Sequence, residues 1–143
     1  MEKNITFKFT EKNFSSPEQM QALALAYIGD STYDIMSREY VMKNHLGKIN
    51  DLHRTVSTLV SARAQASFMK NILENNILTD IEESIYIRGK NQKNNSKAKN
   101  ASIMEYKLAT GLEAVFGYLY LEKNFERLEE MFNYIISLYE EKQ

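Results

Sequence analysis

The sequence predicts an all-α fold: a single helical domain of about six helices. Three observations carry that reading. Apolar residues recur at three- and four-residue spacing along most of the chain. Three segments place a Ser or Thr three residues ahead of a Glu or Gln, the signature of a capped helix start. Only residues 5–9 alternate, at Ile5, Phe7 and Phe9, so an extended N-terminal arm (residues 1–15) is the one expected departure from helix.

The elements follow in order. Ser16-Pro17-Glu18-Gln19 reads as the start of a long helix, with Ser16 as cap, Pro17 in the first turn and Gln19 closing a capping box. Its apolar stripe runs through Leu23, Ala26, Tyr27, Tyr33 and Val41 to about residue 43, with Gly29 inside it. His45-Leu46-Gly47-Lys48 is a loop, and Asn50 or Asp51 opens a second helix carrying Leu52, Val56, Leu59 and Val60. Ser61 re-caps a third, from Ala62 to about Leu73, with Ala64, Phe68 and Ile72 on one face. Thr79-Asp80-Ile81-Glu82 opens a fourth, ending near Gly89. Lys90 to Ala101 has no apolar period and reads as a loop. Ser102-Ile103-Met104-Glu105 opens a fifth helix to about Glu122, and a sixth spans about Phe125 to Glu141.

A chain of 143 residues, 43% hydrophobic and 26% charged, suits one ordinary globular domain, here residues 1–143. The absence of cysteine excludes disulfides, thiolate zinc sites and cysteine nucleophiles. His45 and His53 are too far apart for a HExxH pair, and His53 reads as a packing or capping group. No apolar run is long enough to span a membrane, and the first residues lack the apolar core of a signal peptide, so the expected compartment is the cytoplasm. The net charge of −1 conceals an asymmetry. Residues 88–100 hold five of the eighteen basic side chains and no acid, leaving thirteen bases against nineteen acids elsewhere.

Two acids stand where the helical pattern wants apolar residues. Asp30 lies three or four residues from Ala26, Tyr27 and Tyr33. Glu113 lies at the same spacing from Ala109, Thr110, Phe116 and Gly117. A carboxylate on an apolar face is costly unless paired. Two readings meet that requirement. One is a polar network between helices. The other is a magnesium site, because hard divalent cations take oxygen ligands, often one or two carboxylates completed by water and phosphate. Gly29, Gly111 and Gly117, helix-weakening residues beside these acids, suit close approach of two helices or of a ligand. Arg88-Gly89-Lys90-Asn91-Gln92-Lys93 adds cations and amide donors suited to phosphate and sugar contacts, or to a solvated linker.

Four segments in order resemble Mini-ribonuclease III, the short bacterial branch of the ribonuclease III family. They are Leu25-Ala26-Tyr27-Ile28-Gly29-Asp30-Ser31, Val60 to Ala66, Arg88-Gly89-Lys90-Asn91, and Thr110 to Leu121. The first resembles the family's Leu-Gly-Asp step, here Ile28-Gly29-Asp30. The resemblance implies the ribonuclease III endonuclease fold and a magnesium-dependent endoribonuclease. Such an enzyme hydrolyses double-stranded RNA to leave 5′-phosphate ends, working as a cytoplasmic homodimer without a separate double-stranded-RNA-binding domain. It further implies maturation of large-subunit (23S) ribosomal RNA precursors, with a ribosomal protein on the precursor as a candidate partner. Asp30 matches the catalytic aspartate and Glu113 the metal-binding glutamate. Arg88, Lys90, Asn91 and Lys93, with Arg63 on the third helix, are the expected RNA contacts. Two positions depart from the wider family. Ala26 replaces a glutamate four residues before the aspartate, and Thr110 replaces an aspartate three residues before the glutamate. Thr110 could orient a metal-bound water, and Asp34 could support the site from one turn away. The departures motivate an alternative, a non-catalytic double-stranded-RNA-binding module of the same fold. A third possibility is a helical interaction protein in which both acids are structural.

Overall fold

The computed structural model describes residues 16–44, 47–92 and 101–142. Six α-helices follow one another: α1 (Ala22–Asn44), α2 (Ile49–Val60), α3 (Ala62–Glu74), α4 (Asp80–Lys90), α5 (Ile103–Leu121) and α6 (Phe125–Glu141). Among the described residues there is no strand, as the spacing predicts. The alternating arm and Lys93 lie outside the described residues.

The helix boundaries follow local chemistry. Thr79 and Ser102 both close reciprocal capping boxes, with Glu82 and Glu105 respectively. Ser61 accepts from the Ala64 N–H at 3.2 Å and so starts α3 directly after α2. Asn124 caps α6 by accepting from the Arg127 N–H. The start of α1 differs from expectation. Pro17–Gln19 forms a single 3-10 turn, Ser16 makes no side-chain cap, and Met20 is extended before α1 begins at Ala22. The cause lies seventy residues away. Two guanidinium nitrogens of Arg88 donate to the carbonyls of Glu18 and Met20, which a continuous helix would have used internally. At α2, Lys48 rather than Asn50 or Asp51 is the boundary residue, and Asp51 pairs with Arg54 at 3.3 Å inside the first turn.

α5 is buried on nearly every face from Leu108 to Leu119 and forms the axis of the molecule. α1, α3, α4 and α6 pack around it. α1 and α5 run antiparallel and touch backbone to backbone. A Cβ on Gly29 would lie 1.7 Å from the Glu113 carbonyl oxygen, and one on Gly117 would lie 1.8 Å from that of Leu25. No other residue fits at either position without parting the helices. Below this crossing Tyr33 packs edge-on against Phe116 (5.2 Å between centroids) and Phe132 (5.9 Å). Its hydroxyl donates to the Leu59 carbonyl at 2.8 Å, tying α1 to α2.

A second polar tie joins α4 to α6. Arg127 donates to both oxygens of buried Glu82 at 2.9 Å and to the Ile77 carbonyl at 2.8 Å. Glu82 also accepts from the Thr79 N–H at 3.0 Å. Each buried charge therefore has a full set of partners.

Candidate metal centre

The glycine crossing decides where the two unexpected acids lie. Gly29 rests on the backbone of Glu113, so its neighbour Asp30 meets the Glu113 side chain across the α1–α5 seam. The two carboxyls are close enough for each to act on the ionisation of the pair. Burial pushes the Glu113 carboxyl up to about 8, and the charge and hydrogen bond of Asp30 push in the same direction. Gln65 on α3 opposes the shift by donating from Nε2 to Glu113 Oε2 at 3.4 Å. Asp30 itself is exposed, so the pair has one wet end and one dry end.

Among the described residues no ion pair gives either carboxylate a protein cation, and no group of three or more histidines and acids could hold a metal. The oxygen set is thus two carboxylates, open to solvent on the Asp30 side. Two carboxylates are a sufficient protein share for magnesium, which keeps waters and takes phosphate oxygens for the rest. A divalent cation would offset both the burial cost of an ionised Glu113 and its repulsion by Asp30. The residues present fit such an ion.

The remaining candidates fall in different places. Thr110 is buried, and its hydroxyl donates to the Tyr106 carbonyl at 2.9 Å. Asp34 pairs with Arg38 on the surface at 3.0 Å, a contact worth little. Ala26 is in the core. Arg63 is exposed and lies 3.7 Å from Glu105. Lys90 ends α4 and Asn91 caps it, both at the surface end of the helix. Arg88 is half-buried and clamps the Pro17–Gln19 turn, a role that its place in a basic run did not disclose. Gln65 is the member of the site that sequence reasoning passed over. It shares a stripe with Phe68, Met69 and Ile72, all buried. A polar residue on an apolar stripe was the same signal that singled out Asp30 and Glu113.

Helices around a buried axial helix, with a carboxylate pair across a glycine seam, define the class. The family model of the ribonuclease III domain matches residues 23–124, and the chain belongs to that family of endoribonucleases. Within it, the curated relatives are Mini-ribonuclease 3 proteins, and this chain belongs to their branch. The Enterococcus faecalis Mini-ribonuclease 3 is 46% identical over 119 residues, covering 83% of this chain and 90% of that protein. The Clostridium tetani Mini-ribonuclease 3 is 44% identical over 135 residues, covering 94% of this chain and 86% of that protein. The crystal structure of a Fusobacterium nucleatum protein superimposes with a TM-score of 0.74 at 32% identity, covering 83% of this chain and 93% of that one.

Proposed function

We propose that this endoribonuclease uses magnesium to hydrolyse double-stranded RNA, maturing the ends of 23S ribosomal RNA precursors in the cytoplasm. The observation that carries the reading is the Asp30–Glu113 pair, brought together at the glycine seam and open to solvent on the Asp30 side. Asp30 and Glu113 would hold the ion. Bound there, magnesium would supply an activated water and offset the negative charge that develops on the phosphate. Water adds to phosphorus, the bond to the 3′-oxygen breaks, and that oxygen takes up a proton, leaving a 5′-phosphate and a 3′-hydroxyl. The chain's own residues bind and orient. Lys90, Asn91, Lys93 and Arg63 offer cations and donors to phosphates and 2′-hydroxyls, the groups through which duplex RNA is read. Arg88 serves the same surface by fixing the turn beside α4. No helix of the described residues is long and apolar enough to cross a membrane.

One acidic pair per chain faces a substrate of two strands, which favours a twofold homodimer. Leu23 and Tyr27, one turn apart on α1 and close to Asp30, are exposed, Tyr27 by 82%. A tyrosine so placed is a natural anchor for a partner copy, and a ribosomal protein on the precursor is a further proposed partner. Sedimentation at micromolar concentration should show a dimer, and a Tyr27→Ala change should weaken it.

The test is cleavage of a long RNA duplex by the parent and by Asp30→Asn, with magnesium or with EDTA. Magnesium-dependent fragments from the parent alone support the assignment. Duplex binding without fragments would instead favour the non-catalytic module that Ala26 and Thr110 motivate. Loss of binding as well would return both acids to a structural role.

A further inference from the structure

We infer that Gln65 is a positioning residue of this centre: its carboxamide, anchored on the Val60 carbonyl, holds the Glu113 carboxylate in the orientation that faces Asp30. The inference rests on the metal-centre reading above and extends it to a third helix.

The argument begins at the break between α2 and α3. In a continuous helix the Ala64 N–H would reach the Val60 carbonyl. Here it bonds the Ser61 hydroxyl instead, because Ser61 is extended and caps α3. The Val60 carbonyl is left for a side chain, and Gln65 Nε2 donates to it at 2.9 Å. The same nitrogen donates to Glu113 Oε2 at 3.4 Å. Its two hydrogens therefore go to two acceptors. Rotating the amide by half a turn would set its oxygen against a carbonyl and a carboxyl, so the network fixes which end faces Glu113.

Gln65 is 2% exposed, and its Oε1 has no partner. A buried amide with an oxygen left unsatisfied is a cost that a leucine at this position would avoid. The nitrogen end is where that cost is offset, and one of its two contacts is the candidate ligand. Groups that hold a metal ligand from behind fix its orientation, and their loss typically weakens metal binding by about 10–100-fold.

The test uses the whole chain and Gln65→Met, which keeps the side-chain volume and removes the donor. Mn2+ binding is measured calorimetrically in the presence of uncleaved duplex RNA, beside chemical unfolding and the magnesium concentration for half-maximal cleavage. The expected result is Mn2+ affinity lower by about 10–100-fold, a matching rise in the magnesium requirement and duplex affinity unchanged. Gln65→Asn, polar but too short to span both acceptors, should show the same loss. Parent-like Mn2+ affinity in Gln65→Met overturns the inference. Lost stability with unchanged metal affinity also overturns it, because Gln65 then serves only the α2–α3 junction. A parent that takes up no Mn2+ at all removes the metal-centre reading and this inference with it. If both variants fail to fold, magnesium titration of the parent decides by NMR. The Gln65 side-chain amide signal should shift as the ion binds, and a signal that stays fixed while the ion binds contradicts the inference.

Discussion

Glu82 and Glu113 are two glutamates on packed helices, and the fold treats them oppositely. Glu82 is met by the forked guanidinium of Arg127 and by a backbone N–H at the start of its own helix. Glu113 is met by another carboxyl and by one amide. The first arrangement supplies charge and donors for every oxygen and ties α4 to α6. The second brings like groups together and raises the Glu113 carboxyl. A chain that only needed α1 held to α5 has the glycine seam and the Tyr33 cluster for that purpose. The contrast separates a carboxylate that holds the fold from one that has no cation among its described neighbours, as the proposed magnesium site requires.

The largest expected effect is on chemistry. Asp30→Asn or Glu113→Gln should lower duplex cleavage by on the order of 10³-fold or more, since an ion placed at the reacting phosphate supplies several kcal/mol. The same variants should unfold at equal or higher denaturant concentration than the parent without metal, because a crowded carboxylate has been removed. The opposite pairing should give the opposite result. Arg127→Met strands Glu82 in the core and should cost about 3–5 kcal/mol in urea unfolding.

The seam comes next. Gly29→Ala or Gly117→Ala should cost about 1–3 kcal/mol or more, because the new methyl meets backbone atoms that cannot yield. Cleavage should fall beyond what the stability loss explains, since parting α1 from α5 also parts Asp30 from Glu113.

A pH series sharpens the contrast further. The Glu113 carboxyl is raised in the folded chain, from 4.5 to about 8. Between those values the folded state binds more protons than the unfolded one, so this group's contribution falls as pH rises through that window. Urea midpoints of the parent should therefore decline from about pH 5 to pH 8 more steeply than those of Glu113→Gln, and magnesium should flatten the difference. The smallest effect belongs to the exposed Arg63–Glu105 pair. Arg63→Ala should leave the urea midpoint close to that of the parent, because solvent screens the pair. It should still weaken duplex binding and reduce its salt dependence if Arg63 meets phosphate.

Much of the fold was legible in the sequence because helices advertise themselves locally. The Thr79 and Ser102 boxes, the Ser61 cap and the Phe125 to Glu141 stripe all stand as the pattern predicts. The start of α1 was not legible, because its boundary is set by Arg88, some seventy residues along the chain, rather than by Ser16. The two acids were visible as violations of an apolar stripe. Their meeting was not, since it depends on which turn of α5 the single glycine of α1 rests on. Gln65 gave the same violation. An amide carries no charge to draw notice, and its second anchor, the Val60 carbonyl, exists only because two helices break where they do.

The most direct measurement is anomalous diffraction from crystals of this protein grown with Mn2+ in place of magnesium. The account predicts a peak between Asp30 and Glu113, at roughly 2.0–2.2 Å from an oxygen of each. An empty seam at saturating Mn2+ would contradict it and leave Glu113 as structural as Glu82.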